Sequence, residues 1–77
     1  MQISLKLRGP LKKYGPGAET FEYTVNANSC TVRQLIEIMN IPPSSVSFVT
    51  VGDKKAGLDT LLEGNEEVTV YPRVAGG

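Results

Sequence analysis

Thr31-Val32-Arg33-Gln34-Leu35-Ile36-Glu37-Ile38-Met39 is the stretch at which this chain changes its hydrophobic period. Val32, Leu35, Ile36 and Met39 fall at i, i+3, i+4 and i+7, one apolar stripe of a helix. Thr31 and Gln34 have capping-box spacing: the threonine hydroxyl accepts from the Gln34 backbone N–H, and the Gln34 side chain reaches back. Asn40 suits the stop, and Pro42-Pro43 forbids continuation. The rest of the chain reads with a period of two or as turns, so a single main helix must cover whatever sheet forms.

Before the helix, residues 2–8 alternate, with Ile3, Leu5 and Leu7 on one face and Gln2, Ser4, Lys6 and Arg8 on the other. Gly9-Pro10 ends this strand, and Tyr14-Gly15-Pro16-Gly17 is dense in turn residues. A second strand is expected over residues 19–25, with Phe21, Tyr23 and Val25 toward the core, forming an antiparallel hairpin with the first. After the helix, Val46–Val51 reads as a third strand, and residues 52–57 as a turn with room for a short edge strand. Leu58–Leu62 reads as a single helical turn, and Glu63-Gly64-Asn65-Glu66 as a tight turn. Residues 67–72 form the last strand. Pro72 has no N–H, so pairing is expected to fail there and residues 73–77 to leave as a flexible tail from a single domain of residues 1–72.

The chain has 77 residues, eight basic and eight acidic, and one cysteine. That is one small domain. A nucleic-acid binder would show a basic excess, so the balance argues against nucleic acid. No apolar run approaches membrane-spanning length. Cys30 cannot form an internal disulfide, and a cytoplasmic location is expected. Lys6, Arg8, Lys12 and Lys13 make the first segment basic, and Asp59, Glu63, Glu66 and Glu67 make the late segment acidic. This asymmetry is read as solvated faces.

The element order implies an α+β domain of two layers: a four- to five-stranded mixed sheet packed on one main helix, its first and last strands paired at the centre. That is the β-grasp arrangement. Two stretches, Thr31-Val32-Arg33-Gln34-Leu35-Ile36 and the run from Leu62 through Tyr71-Pro72-Arg73 to Val74-Ala75-Gly76-Gly77, resemble the ubiquitin-like MoaD/ThiS sulfur carriers. That family takes its name from the small subunit of molybdopterin synthase and the carrier of thiamine synthesis. A glycine-acid turn, an apolar strand, a proline and a Gly-Gly end recur there in this order. Asn65 departs from the usual aspartate, and Arg73 stands where molybdopterin-type members often carry a second proline.

The resemblance implies that the reactive group is the Gly77 carboxylate. An E1-like adenylating enzyme would activate it with ATP, a sulfur donor would convert it to a thiocarboxylate, and an acceptor synthase subunit would take the sulfur. The chain itself would be no enzyme and would bind no cofactor or metal. Molybdopterin synthesis is the first expectation, with thiamine synthesis and tRNA thiolation open. Gly76, Ala75, Val74 and Arg73 would be read by the partner's channel. Gly76-Gly77 suits a narrow channel because neither residue carries a Cβ. Six residues from Pro72 reach about 20 Å when extended.

With Val68 and Val70 facing the core, Tyr71 lies on the opposite face of the sheet, where ubiquitin has an apolar recognition residue. Phe48 is either its neighbour in a docking patch or a core residue, in which case Val49 and Val51 point outward. Cys30, just before the helix, is read as a small buried apolar residue rather than a reactive thiol. Gly15-Pro16-Gly17 lacks the spacing of a phosphate loop. Lys54-Lys55 could meet an acidic partner or accept a modification, and an exposed turn explains the pair equally well; the late acidic residues lack an EF-hand ligand set. Two other functions fit the sequence: a ubiquitin-like modifier joined through Gly77 to lysines, and a non-covalent β-grasp binding module.

Overall fold

A computed structural model describes residues 1–73. Its strands are β1 (Gln2–Leu7), β2 (Phe21–Thr24), β3 (Cys30–Thr31), β4 (Val46–Val51), β5 (Lys54–Ala56), β6 (Leu61–Leu62) and β7 (Glu67–Pro72), with helix α1 (Val32–Ile38) between β3 and β4. Five strands form a mixed sheet in the order β2-β1-β7-β4-β5, and β3 and β6 form a separate ribbon. The central pair is parallel, with Leu5 opposite Val68 and Leu7 opposite Val70, while the flanking pairs are antiparallel. This is the ubiquitin-like β-grasp, as the element order implied.

Alternation decides the two faces. Ile3, Leu5, Leu7, Val49, Val68 and Val70 are buried on one side, where Val32, Leu35 and Ile36 of α1 meet them. The helix forms where the capping box required it. The Gln34 N–H donates to Thr31 Oγ1 at 3.1 Å, and the Thr31 N–H donates to Gln34 Oε1 at 2.9 Å. Asn40 ends it with φ of 60°, and the Ile41 N–H donates to Ile36 O while the Asn40 N–H donates to Glu37 O, a Schellman stop.

The expected helical turn at Leu58–Leu62 is absent. Gly57–Thr60 is a turn closed by the Thr60 N–H to Gly57 O, and Leu61–Leu62 is the strand that pairs with Cys30–Thr31. The first two amides of α1 explain it. The Val32 N–H donates to Thr60 O at 3.0 Å and the Arg33 N–H to Leu58 O at 2.9 Å. Those carbonyls satisfy donors that the helix leaves unpaired, and a local helical turn would consume them.

Two smaller differences also have physical causes. The link between β1 and β2 contains a 3₁₀ helix, Gly9–Tyr14, which buries Leu11 in the core. Pairing also extends past Pro72, because the Arg73 N–H donates to Ser45 O at 2.9 Å. The missing proline N–H removes one bond without ending the strand's contact with its neighbour. The tail therefore begins no earlier than the side chain of Arg73, and residues 74–77 lie outside the described residues.

Candidate functional site

The solvent-facing side of the sheet carries the expected aromatic pair. Tyr71 on β7 is directly opposite Phe48 on β4, and their rings stack with centroids 4.3 Å apart and planes 13° from parallel. Val49 is buried and is opposite Val70 in the core, so the open question about Phe48 resolves toward the solvent face of the sheet. A β-bulge produces this. Val46 is opposite Pro72 and Phe48 is opposite Tyr71, so Ser47 is an extra residue without a partner. The extra residue lets Val46 and Val49, three apart, both face the core while Phe48 turns out.

Two cations complete the pair. The Arg8 guanidinium carbon lies 5.8 Å from the Tyr71 ring centroid, and Lys55 Nζ lies 4.9 Å from that of Phe48. The order across the sheet is thus Arg8, Tyr71, Phe48, Lys55, a row in which each cation faces an electron-rich ring surface. Neither cation was among the residues expected at the site. Arg8 was accessible as the next outward residue after Gln2, Ser4 and Lys6, and its N–H bonds to Val70 O, beside Tyr71. Lys55 depends on the hairpin register that sets it opposite Thr50, which the sequence does not reveal.

The patch adjoins the point at which the chain leaves the described domain. Arg8, Phe48, Tyr71, Pro72 and Arg73 line one shallow depression. Gly9 has φ of 53°, and a Cβ there would stand 3.3 Å from Pro72 Cγ. Glycine at this position meets both the left-handed backbone and the close approach of Pro72. Of the expected tail residues, Arg73 is exposed, and its backbone N–H is tethered to Ser45 O. Val74, Ala75, Gly76 and Gly77 lie outside the described residues.

Cys30 is buried in β3, and burial pushes its thiol above the usual range, reinforced by the Glu66 carboxylate. It is a core side chain, as expected. The same Glu66 closes the turn before β7: its carboxylate accepts from the Glu63 N–H at 2.7 Å and the Gly64 N–H at 2.8 Å. Burial alone would raise the Glu66 pKa, but the backbone N–H groups of Glu63, Gly64 and Glu66 together hold it below the ordinary value. Among the described residues no cluster of three or more histidine, cysteine or acidic residues is arranged to hold a metal, and no helix is long and apolar enough to cross a membrane.

The family model for Mut7-C ubiquitin matches residues 3–76. The chain belongs to the Mut7-C ubiquitin family. This agrees with the resemblance to ubiquitin-like MoaD/ThiS proteins. Among solved structures, the Mut7-C ubiquitin chain is similar to SAMP1 from Haloferax volcanii, at 20% identity with both chains covered in full and a TM-score of 0.69. It is also similar to a protein from Pyrococcus furiosus described as molybdopterin converting factor, subunit 1, at 17% identity, covering 95% of this chain and 98% of that one with a TM-score of 0.71. A third similar chain is found in the protein–protein complex of subunits 1 and 2 of molybdopterin-converting factor from Helicobacter pylori, at 23% identity, full coverage of both chains and a TM-score of 0.60. These likenesses establish the shared β-grasp fold. No curated protein matches the sequence at a significant level.

Proposed function

We infer that this Mut7-C ubiquitin chain is a cytoplasmic sulfur carrier that docks through the Phe48–Tyr71 patch and reacts through the Gly77 carboxylate. A carboxylate oxygen of Gly77 attacks the α-phosphorus of ATP on an E1-like enzyme, releasing pyrophosphate and leaving an acyl-adenylate. A hydrosulfide-equivalent donor then attacks the acyl carbon and AMP departs, leaving a C-terminal thiocarboxylate. The sulfur passes to an acceptor synthase subunit, with molybdopterin synthesis the first pathway to test. The chain supplies the reacting atom and the docking surface; ATP is consumed on the partner, and the carrier binds no cofactor of its own.

One observation carries this reading. The central strand β7 ends beside a half-buried, cation-flanked aromatic pair on the solvent face, and the sequence continues from there into Val74-Ala75-Gly76-Gly77. The half-buried rings keep apolar surface at the solvent face of the sheet, and a partner that covers them gains that burial. Family membership and the fold shared with the molybdopterin-converting factor proteins support the same assignment.

The test is mass spectrometry of the C-terminal peptide after incubation with ATP, a sulfur source and an E1-like enzyme from the same cell. Cleavage after Arg73 isolates Val74–Gly77, which contains neither methionine nor cysteine. A mass gain equal to replacing one oxygen by sulfur is the expected result. Gly77–lysine linkages with no sulfur gain would make the chain a modifier, and an inert tail would make it a binding module.

A further inference from the structure

A second concavity lies around the β4 bulge from the aromatic patch, between α1 and the β4–β5 edge. It encloses about 360 Å³, and Ile36, Val46, Val49, Ala56 and Leu58 form its apolar lining. Three cations, Arg33, Lys55 and Arg73, stand around it against one acid, Glu37. In a chain of zero net charge this is a local surplus of basic groups over an apolar floor. Arg33 also meets Asp59 at 3.5 Å, but both side chains are largely exposed, and such a pair holds the guanidinium weakly.

The boundary of the cleft is a strand edge. β5 is the last strand of the sheet and pairs only with β4 among the described residues, so the outer side of Lys54–Ala56 is open to an added strand. Leu58, 40% exposed, extends the apolar floor to the surface beside it. Phe48 and Arg73 line both this cleft and the aromatic depression, so the two are continuous.

We propose that the α1/β4–β5 cleft binds an extended acidic segment of a partner protein, with one apolar side chain buried in the cavity and flanking carboxylates on Arg33, Lys55 and Arg73. Charge complementarity selects acid over base. The apolar floor and the single strand edge select polypeptide over nucleic acid, whose phosphates need a broad basic surface. The proposal does not rest on the sulfur chemistry: the cleft would serve a carrier, a modifier or a binding module equally.

The test is an amide-shift NMR titration of the isotope-labelled full chain with the capped peptide Asp-Glu-Leu-Leu-Glu-Asp. Two controls replace its leucines by serine and its acids by lysine. Saturable shifts at Arg33, Ile36 and Lys54–Leu58 with the first peptide alone are expected. Arg33→Glu with Lys55→Glu should weaken binding about tenfold or more, since each exposed ion pair is worth a factor of about two to five and reversal adds repulsion. Leu58→Glu, which leaves all three cations in place, should weaken it similarly, and the spectra report whether each variant is folded. Equal binding of the lysine peptide, shifts confined to Arg8, Phe48 and Tyr71, or no saturable shift at millimolar peptide would overturn the proposal. So would cleft amides that move when residues 74–77 are deleted, which would make the chain's own tail the occupant, or that move on dilution, which would make it a second copy.

Discussion

The stacking of Phe48 on Tyr71 can be measured as a coupling energy. Each ring is half-buried on the solvent face of the sheet, so truncation to alanine forfeits about half the burial of a large apolar side chain, roughly 1 kcal/mol. The stack adds about 1 kcal/mol, within the usual range for an aromatic pair at this separation. Phe48→Ala and Tyr71→Ala should each cost about 2 kcal/mol, and the double variant about 3 rather than 4. Each single change should lower the melting temperature by about 8–16 °C in a domain of this size. Urea unfolding of the four proteins in the cycle is the assay. A coupling below about 0.5 kcal/mol is what independent sites give, and would refute the stack. A single variant costing more than about 4 kcal/mol would refute the surface assignment, since losses of that size belong to core truncation.

The same variants test the patch as a docking surface. The proposed chemistry occurs at Gly77, beyond the described residues, whereas Phe48 and Tyr71 in the proposed role would act only on association. Removing either ring should therefore raise the KM of the activating enzyme for this chain by about tenfold and leave kcat unchanged, the signature of lost uniform binding. A fall in kcat with KM unchanged would place the rings in the chemical step and sink the docking argument.

Other predictions follow from single contacts. Glu66→Gln should cost about 1–2 kcal/mol by weakening two charge-assisted backbone bonds. Because the folded-state pKa of Glu66 is depressed, its contribution is fully present above the ordinary value of 4.5 and is lost as pH falls through the lower folded value. Urea midpoints measured down that acid limb should fall less steeply for Glu66→Gln than for the parent. Thr31→Ala should cost about 1 kcal/mol and Thr31→Ser much less, checked by thermal unfolding, because serine keeps the hydroxyl that caps α1. Native Cys30 should react with a thiol reagent only as fast as the domain opens, since it is buried and its thiol pKa is raised. One alanine added after Gly77 should abolish the sulfur gain in the mass-spectrometric test while leaving the unfolding midpoint unchanged.

Periodicity carried most of the fold. The alternation of Ile3, Leu5 and Leu7 and the stripe of Val32, Leu35 and Ile36 come from local spacing, and burial follows them residue for residue. The capping box was legible because both partners lie within one turn of each other. Leu58–Leu62 was misread because its conformation is decided by two amides of α1 some twenty-five residues away, and no local pattern encodes that demand. Leu11 was missed for a related reason. A lone apolar residue between Pro10 and Lys12-Lys13 has no period, and its burial depends on the 3₁₀ turn that folds it onto the sheet. The site divides in the same way. Tyr71 followed from alternation, Phe48 needed the Ser47 bulge, and the flanking cations needed cross-strand register that only the assembled sheet supplies.

The tether at Arg73 changes what the proposed chemistry demands of a partner. Had the tail left the sheet at Pro72, its six residues would span about 20 Å, enough for an activating site well away from the docking surface. The bond from the Arg73 N–H to Ser45 O is the last along the chain among the described residues, and the four residues 74–77, fully extended, reach at most about 14 Å. A partner whose reactive centre meets Gly77 must then hold that centre within about 14 Å of Arg73, which lines the same depression as Phe48 and Tyr71. Docking patch and reactive centre have to belong to one contiguous surface of the partner. Releasing the tether would relax this demand at the cost of one backbone hydrogen bond, a factor of about two to ten in population. Ser45→Pro leaves the accepting carbonyl in place and so does not probe the tether, whereas Arg73→Pro removes the donor. That substitution should lower kcat for sulfur loading if the bond positions the tail. Unchanged kcat with Arg73→Pro would mean that the partner, and not Ser45, sets the path of the chain from Pro72 to Gly77.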